Sequence, residues 1–361
     1  MGTERPERPW DRTQRGWHQS CSVSPVSMIC PRVHQTMKNL TAKQRTEARP
    51  PLARLLFSDS GRGLHADADF LTELLASAGW RVERVVLPRW SAKRAVWSHR
   101  YASVVRKLPP WLGRVLDKFP VSMGRVGTSK ADLQIHLETI AVPYLGTGDV
   151  NWLIPNQEWM RVQHLRFLPL IDRILCKTEE AVEAFRSHHS DIRFIGFSNP
   201  IASNPVGSSD RLDRFRSFLH VAGRNRKKGS AAVVEAWRRH PEWPELQLVI
   251  DDPAIVGPLP SNVRVRSRVW TQQLEQLRRD HAIVLAPSEV EGFGHILLEG
   301  MATGGVVLTT DAAPMNELVS DQRGLLISWE RSEPCHLGTR YFVDPSDIER
   351  AVDRVLQSPL A

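Results

Sequence analysis

The sequence predicts an α/β fold of two domains, each a doubly wound parallel sheet, with a cleft between them. Strand-like and helix-like segments alternate in two successive runs along the chain, a pattern that favours two such sheets. The segment Ser198–Asp213, rich in Ser, Asn, Pro and Gly, separates the runs and has the composition of a linker. A length of 361 residues, at about 150 residues per domain, also favours two domains.

The first run contains six strand-like segments and two amphipathic helices. Gly79 follows the first helix and has the position of a C-terminal cap. The predicted strands are Ala53–Asp59, Arg81–Leu87, Ala131–His136, Asn151–Pro155, Ile171–Cys176 and Ile192–Phe197, and the predicted helices are Leu64–Ala78 and Thr178–His188.

The second run repeats the alternation with six strands and three helices. Its strands are short and mostly apolar throughout, as expected for strands covered on both faces. The predicted strands are Phe218–Ala222, Leu246–Ile250, Val263–Val269, Ala282–Ala286, Gly305–Thr310 and Leu325–Ser328, and the predicted helices are Ser230–His240, Gly294–Thr303 and Ser346–Gln357.

Residues 1–50 differ from the rest of the chain. They are rich in Arg, Pro, Gln and Ser, show no sustained hydrophobic periodicity, and end in Arg49-Pro50-Pro51. This composition predicts a disordered basic tail. The predicted organisation is therefore a tail over 1–50, one domain over 51–200 and a second over 201–361.

Composition excludes several classes of protein. No run approaches the roughly 18 apolar residues of a membrane-spanning helix, and residues 1–50 lack the apolar core of a secretory signal. The four cysteines form no C-x-x-C pair, which argues against a zinc ribbon or a thioredoxin motif. Scattered cysteines suit a reducing compartment, so we expect a cytoplasmic protein.

The net charge of +8 is concentrated in residues 81–130, which hold twelve Lys and Arg against two acidic residues. Aromatic residues such as Trp97 and Trp111 are interleaved with these cations. A solvated face explains the pattern, and so does a surface that docks on an anionic membrane or an anionic acceptor. A nucleic-acid interface is a third interpretation, and we do not expect one.

The densest motif lies at Ala286–Ala302, where the sequence reads APSEVEGFGHILLEGMA. A strand ends at Ala286, a glycine-containing loop presents Glu291, and a helix begins near His295. Glycines allow a ligand to approach the backbone, and the unpaired amides of a helix N-terminus favour a phosphate. A carboxylate one turn into the helix, at Glu299, is placed to accept hydrogen bonds from ribose hydroxyls.

A second motif follows the first strand of the same predicted domain. Residues Ala222–Gly229 read AGRNRKKG, with four cations in five positions between glycines. Arg can hold a diphosphate through two parallel hydrogen bonds, and Lys adds a compact charge. Because both motifs follow parallel strands, they meet at one edge of the sheet. Together they predict a site for a nucleotide diphosphate.

These residues resemble a known family. Glu291 and Glu299 have the E-x7-E spacing of retaining glycosyltransferases with the GT-B fold of two Rossmann-like domains, especially the GT4-like group, also called glycosyl transferases group 1. The segment Gly304–Asp311 and the following Asn316–Val319 are similar to that group too, as is the G-R…K-G loop. The resemblance is strong over 215–330, weak over 52–200, and absent over 1–50. Arg224 and Lys228 are one residue closer than is usual.

The resemblance implies a function and roles for individual residues. The chain would move a hexosyl-type sugar from a nucleotide-diphosphate sugar to an acceptor bound by 51–200, keep the anomeric configuration, and need no cofactor. The implied roles are diphosphate neutralisation by Arg224 and Lys228, sugar contact by Glu291, ribose contact by Glu299, and donor binding by the loop residues Gly223, Gly292, Phe293, Gly294 and His295. Which of Arg226, Lys227 and Lys228 meets the diphosphate stays open.

The first domain offers weaker candidates. Gly61 and Gly63 follow the first strand and could approach the diphosphate across the cleft, although a plain turn explains them equally well. Glu158 follows the fourth strand, where the family often places a group that contacts the donor sugar, and it is our fourth catalytic candidate. His136 and Glu138 end another strand and are less favoured.

We expect no metal site. The Asp67-Ala68-Asp69 triplet has the D-x-D form of metal-dependent transferases, but it falls on the first predicted helix. We interpret it as a solvated helix start, since acidic residues are favoured near helix N-termini.

Three functions stay open at this stage. The leading one is a glycosyltransferase of polysaccharide or envelope-glycan assembly with a glycan or lipid-linked acceptor, cytoplasmic or peripheral at the inner membrane face. A sugar-nucleotide epimerase would use the same donors without an acceptor. A non-catalytic membrane- or nucleic-acid-binding protein would need only the 81–130 segment.

Overall fold

The computed structural model describes residues 49–59, 61–87, 129–197 and 212–358. Within these ranges the chain forms two six-stranded sheets, every paired strand of which is parallel, and one two-stranded antiparallel hairpin. Parallel strands need crossover segments, and the intervening helices supply most of them. The predicted α/β fold with two doubly wound sheets is confirmed.

The first sheet has the strand order β2-β1-β3-β4-β5-β6. The order reverses at β1, so the carboxyl ends of β1 and β3 flank a crevice of the kind in which open α/β sheets bind ligands. Its strands are β1 (Leu52–Ser58), β2 (Arg81–Leu87), β3 (Ala131–Glu138), β4 (Gly148–Pro155), β5 (Arg173–Cys176) and β6 (Ile192–Phe194), and its helices are α1 (Arg62–Ser77) and α2 (Glu179–Phe185).

The second sheet has the order β12-β11-β10-β7-β8-β9, with its reversal between β7 and β10. Its strands are β7 (Phe218–Gly223), β8 (Leu246–Ile250), β9 (Val263–Arg266), β10 (Ile283–Ala286), β11 (Val306–Thr310) and β12 (Gly324–Ile327), and its helices are α3 (Ser230–Arg239), α4 (Thr271–Asp280), α5 (His295–Ala302), α6 (Met315–Leu318) and α7 (Pro345–Gln357). Short 3-10 helices cover Val142–Tyr144, Val162–Leu170, Leu212–Arg216 and Pro253–Val256.

Each sheet has its own apolar core. In α1, Leu64, Ala68, Leu71 and Leu75 are buried at helical spacing and pack against the first sheet. In the second domain Trp237 of α3 is fully buried in the main core cluster. Continuous apolar strands therefore lie between helices on both faces, as a parallel sheet requires.

Helix α4, the short helix α6 and one hairpin of the second domain were not predicted. Helix α4 has the sequence TQQLEQLRRD, in which only Leu274 and Leu277 are apolar, so its hydrophobic stripe is too thin to detect. The antiparallel hairpin of β13 (Arg331–Cys335) and β14 (Gly338–Phe342) contains Pro334 and has charged residues on both strands. The strand predicted over Val263–Val269 ends at Arg266, and Arg268 has a left-handed φ of 55°.

Several predictions fall outside the described residues. These are the tail over 1–48, almost all of the basic segment 81–130, and the linker Ser198–Asp213 apart from its last two residues. The exact domain boundaries therefore stay predictions. Across the described ranges, none of the helices combines the length and apolar character needed to cross a bilayer.

Candidate active site

The loop after β10, residues Pro287–Gly294, ends at the N-terminus of α5; we call it the donor loop. Gly294 precedes the first residue of α5 with a φ of 100°, a left-handed conformation that glycine adopts without a Cβ clash. Glu291 is buried on this loop with 8% of its surface exposed. The predicted strand–glycine–helix element is therefore present at the carboxyl end of its strand.

The basic loop after β7, residues Arg224–Gly229, lies beside the donor loop because β7 and β10 are neighbouring strands. Gly229 has a φ of 70° and caps α3, and a Cβ there would collide with the carbonyl oxygen of Pro287. The backbone amide of Glu289 donates to the carbonyl of Lys227 at 2.9 Å. The two motifs thus meet at one sheet edge, as predicted.

Lys228 joins these two loops through its side chain. Its ammonium forms an ion pair with Oε1 of Glu291, and both side chains are largely buried, with 15% and 10% of their surfaces exposed. The hydroxyl of Ser288 donates to the same carboxylate oxygen at 2.6 Å. A cation and a carboxylate are therefore held together at the carboxyl ends of the strands of the second sheet.

The other cations of the basic loop point elsewhere. Arg224 is 54% exposed, with Nε 3.9 Å from a carboxylate oxygen of Asp251, and Gly223 before it has a φ of 57°. Arg226 pairs with Asp252 at 3.1 Å. Lys227 lies over the ring of Trp159 in the first domain, 5.0 Å from its centroid. Of the three alternatives left open above, only Lys228 contacts the donor loop through its side chain.

Glu299 lies in the second turn of α5 and forms an ion pair with Arg278 of α4. Both side chains are largely buried, with 20% and 10% exposed. Arg62 of the first domain donates to the carbonyl of Val269, near this pair. The arginine partner of Glu299 escaped prediction because α4 itself was not recognised.

The first domain contributes the turn Asn156–Glu158 after β4. The side-chain amide of Gln157 donates to the backbone carbonyl of Glu291 at 3.2 Å, so this turn contacts the donor loop across the domain boundary. Glu158 has 4% of its surface exposed. Burial, reinforced by the charges of Glu291 and Glu138, raises its pKa to about 8, although its own backbone and Lys177 act in the opposite direction. Glu158 is therefore protonated at neutral pH.

Buried oxygen atoms without partners mark the same turn. Oδ1 of Asn156, Oε1 of Gln157 and Oε2 of Glu158 are shielded from solvent and accept no hydrogen bond from any described residue. Such atoms are costly in a closed interior and are usually paired. Three in succession beside Glu291 are therefore well placed to bind a polyhydroxylated ligand.

The donor loop packs closely against the first domain. A Cβ on Gly292 would lie 2.6 Å from Oδ1 of Asn156, and Phe293 belongs to the apolar core of the first domain. A Cβ on Gly63 would lie 3.0 Å from the ring of His295, whereas nothing described lies within 4 Å of a Cβ on Gly61. Gly63 therefore faces the first residue of α5 across the cleft.

Asp67 corrects the sequence interpretation of the D-x-D triplet. It is not solvated: 2% of its surface is exposed, and it forms an ion pair with buried Lys177 at 2.9 Å. Its other oxygen lies 2.6 Å from Nε2 of His295, the first residue of α5. Asp69 does fit the interpretation, since it is exposed and pairs with Arg84 at 2.5 Å. Sequence reasoning missed Asp67 and Lys177, although Lys177 directly follows a predicted strand.

The less favoured candidates of the first domain, His136 and Glu138, are both buried. His136 is fully buried, and burial lowers its pKa to about 4, while its Nδ1 accepts from the amide of Ala141 at 3.1 Å. Glu138 accepts from the hydroxyl of Ser58 at 2.9 Å and has a φ of 70°. In the described ranges, no three His, Cys, Asp or Glu side chains cluster in a way that could hold a metal ion.

Comparison with known proteins gives three findings. Residues 210–358 match the family model described as Glycosyl transferases group 1. No curated protein matches the chain. Several solved structures have a similar fold.

Three of these structures cover most of both chains. Sucrose-phosphate synthase (tll1590) from Thermosynechococcus elongatus has a TM-score of 0.58 at 15% identity, covering 86% of this chain and 90% of that one. WaaG, a glycosyltransferase involved in lipopolysaccharide biosynthesis, has a TM-score of 0.55 at 17% identity, covering 86% and 91%. Anabaena Alr3699/HepE in complex with UDP has a TM-score of 0.51 at 14% identity, covering 84% and 90%.

At these identities the structural likeness concerns the fold, and the family match concerns the second domain. Both agree with the resemblance found in the motifs of the sequence. The chain has the GT-B fold, and its residues 210–358 match the family model of glycosyl transferases group 1.

Proposed function

We propose that this protein transfers a sugar from a nucleotide-diphosphate sugar to a glycan or lipid-linked acceptor, with retention of the anomeric configuration and without a metal ion. The proposal rests on one observation: Glu158, which follows a strand of the first sheet, lies close to Glu291 and Lys228, which follow strands of the second. Lys228 pairs with Glu291, and the Glu158 turn reaches the carbonyl of Glu291 at 3.2 Å. Polar groups from both domains thus converge at the carboxyl ends of their strands.

The leaving diphosphate would be stabilised by Lys228 and Arg224. Departure of the nucleotide concentrates negative charge on the phosphate oxygen that leaves the sugar. Cations fixed near that oxygen stabilise the charge more in the transition state than in the bound donor. Lys228, which pairs with Glu291 before the N-terminus of α5, and Arg224 of the same basic loop would supply this role in our proposal, which is why we infer a metal-independent reaction.

Glu158 would bind the donor sugar as a neutral acid. With a pKa of about 8 it holds a proton at neutral pH, so it can donate one hydrogen bond and accept another. Glu291, held in place by its pair with Lys228, would accept hydrogen bonds from sugar hydroxyls. One carboxyl that donates and one that accepts can together fix the orientation of a sugar ring.

Transfer with retention needs the acceptor oxygen to attack from the face that the diphosphate leaves. The bond between the anomeric carbon and the phosphate oxygen breaks, and a bond from that carbon to the acceptor oxygen forms. The acceptor hydroxyl proton passes to the departing phosphate oxygen. This route for the proton follows the family resemblance. It needs no carboxylate base, so a neutral Glu158 is consistent with it.

The experiment is thermal melting of the full chain with UDP-, GDP-, ADP- and TDP-sugars. A donor at 100 times its Kd stabilises the folded state by about 2.7 kcal/mol, which gives a measurable rise in Tm. We expect one nucleotide to do this, and expect Lys228→Gln and Glu299→Ala to remove the effect. Arg331→Gln, a charge change at an exposed position, serves as the control.

Product analysis then separates the reactions. Isotope that moves from donor to acceptor, with the original anomeric configuration by NMR and in the presence of EDTA, supports every part of the proposal. A donor altered without any acceptor indicates an epimerase. A folded sample that responds to no donor contradicts the proposal and favours a binding protein. Sedimentation with anionic and neutral liposomes tests the inferred membrane association, which equal recovery would contradict.

A further inference from the structure

A group of cationic and aromatic side chains lies immediately outside Glu158 and Lys228. We define the cleft rim as Trp159, Arg161, Lys227 and His336. Trp159 follows Glu158 along the chain and is 42% exposed, although large apolar side chains are normally buried. Lys227 precedes Lys228 in the basic loop. The rim is therefore one residue removed from the proposed reaction centre on each domain.

Lys227 holds an uncompensated positive charge within the described ranges. Its ammonium donates to Sγ of Cys335 at 3.2 Å and lies 5.0 Å from the centroid of the Trp159 ring. Neither partner is a carboxylate, and no described carboxylate comes within ion-pair distance of it. The basic residues beside it differ, because Lys228 pairs with Glu291 and Arg226 pairs with Asp252. Lys227 is thus the loop cation whose charge is available to an external anion.

The β13–β14 hairpin fixes the outer wall of the rim. The amide of Leu337 donates to the carbonyl of Gln157 at 3.2 Å, and the thiol of Cys335 donates to the carbonyl of Glu158 at 3.7 Å. His336 lies between these contacts at the hairpin turn, with a left-handed φ of 58°. The hairpin therefore spans from the second domain to the first and places His336 at a defined position.

The rim is electropositive. His336 has a lowered pKa, first because of partial burial and then because of the charges of Arg161 and Lys227. Both cations therefore lie close enough to His336 to disfavour a further positive charge. An anion bound among these groups would relieve the repulsion between them. The rim differs in this respect from the buried turn Asn156–Glu158, whose unpaired oxygen atoms favour hydroxyl groups.

We propose that the cleft rim binds an anionic group, a phosphate or a carboxylate, carried by the acceptor sugar, with the ring of that sugar against Trp159. Lys and Arg provide charge-assisted hydrogen bonds to such groups, and an exposed indole offers an apolar face beside a polar edge. A neutral acceptor would leave Lys227 without a counter-charge. The inference rests on the proposed function, because the anionic sugar is assigned the acceptor's place beside Glu158.

The test is calorimetric titration of the full chain with glucose, glucose 6-phosphate, glucuronate and inorganic phosphate. Each titration is run with and without the nucleoside diphosphate that stabilises the chain. We expect at least one charged sugar to bind about tenfold more tightly than glucose, equivalent to about 1.4 kcal/mol. If glucose 6-phosphate binds more tightly, the anion is a phosphate, and if glucuronate does, it is a carboxylate. Inorganic phosphate should bind more weakly than the charged sugar.

Four variants locate the effect. Lys227→Gln should remove most of the preference for the charged sugar, and Lys227→Arg should retain it. Trp159→Ala should weaken the binding of charged and neutral sugars to the same extent. Arg331→Gln removes the same charge at the opposite end of the hairpin and should leave the preference unchanged. Nucleotide binding should persist in Lys227→Gln, which separates the rim from the donor site.

Several results would overturn the inference. Equal or undetectable binding of charged and neutral sugars would do so, as would inorganic phosphate binding as tightly as a sugar phosphate. An equal loss in Arg331→Gln would show a general field effect. If nucleotide fails to bind while charged sugars still bind through Lys227, the proposed function fails and the rim stands as an anion site alone.

Discussion

Oδ1 of Asp67 lies 2.6 Å from Nε2 of His295, joining the first helix of one domain to the N-terminus of α5 in the other. The same carboxylate pairs with Lys177, and both charges are nearly inaccessible to solvent. Burial alone would raise the pKa of Asp67, but Lys177 and His295 outweigh it and hold the pKa below its ordinary value. The carboxylate is therefore charged at neutral pH and fixes the residue that follows the donor-loop glycine.

We expect Asp67→Asn to destabilise the protein by about 3–5 kcal/mol at pH 7, because it leaves the buried Lys177 without a carboxylate. The matched control is Asp69→Asn on the same helix, whose exposed pair with Arg84 should contribute less than about 1 kcal/mol. Urea denaturation measures both variants. The double variant Asp67→Asn/Lys177→Met should recover part of the loss, and equal effects of the two single Asp variants would contradict the assignment.

The stabilisation from Asp67 should depend on pH in one direction. Its folded-state pKa is lowered, so the contribution is present above its ordinary value of 3.8 and is lost as the pH falls through the folded pKa. Between pH 6 and 8 the difference between wild type and Asp67→Asn should therefore stay constant. A difference that changes over this range would contradict the lowered pKa of Asp67 as its source.

Glu158 should make the stability of the fold decrease as the pH rises towards 8, in contrast to Asp67. Its pKa is raised from 4.5 to about 8, so the folded state holds a proton that the unfolded state has lost. Stability should fall by up to about 1.4 kcal/mol for each pH unit between these values. Glu158→Gln removes the titrating group, so its loss of stability from pH 5 to 8 should be smaller than that of wild type. Parallel profiles would show that Glu158 ionises normally.

The positions of the donor loop and the basic loop could be predicted from the sequence because their signals are local. A strand, a glycine and a helix start are adjacent in the chain, so the donor loop and the basic loop could both be placed at strand ends. Their meeting follows from β7 and β10 being neighbours in a parallel sheet. The sequence did not show which cation of the basic loop pairs with Glu291. The structure identifies it as Lys228.

Contacts between residues far apart in the chain could not be predicted in this way. Asp67 lies 110 residues from Lys177 and 228 from His295, and a D-x-D triplet on an amphipathic helix looks solvated in sequence alone. Its carboxylate is instead held between Lys177 of the same domain and His295 of the other. The hairpin was missed for a related reason, since its charged strands are stabilised by contacts with the Gln157–Glu158 turn rather than by an apolar pattern of their own.

Gly292 should be intolerant of a side chain for steric reasons alone. A Cβ at this position would lie 2.6 Å from Oδ1 of Asn156, so Gly292→Ala must displace the donor loop or the turn. We expect a loss of about 1–3 kcal/mol, as for overpacking of a core. Asn156→Ala in the same chain should restore part of the melting temperature. No rescue would indicate that the alanine acts through the backbone and not through this contact.

The pair of Glu299 and Arg278 allows the ribose assignment to be tested separately from stability. If Glu299 binds ribose, Glu299→Gln should weaken nucleotide binding by about tenfold or more, since a charged acceptor of hydrogen bonds is lost. Arg278→Gln also breaks the buried pair and should destabilise the fold comparably, but it keeps the carboxylate and should retain most of the nucleotide affinity. Both affinities are measured by titration well below the melting temperatures, so that the variants are folded. Equal losses of affinity would mean that the pair acts as a structural unit and that Glu299 does not itself contact the nucleotide.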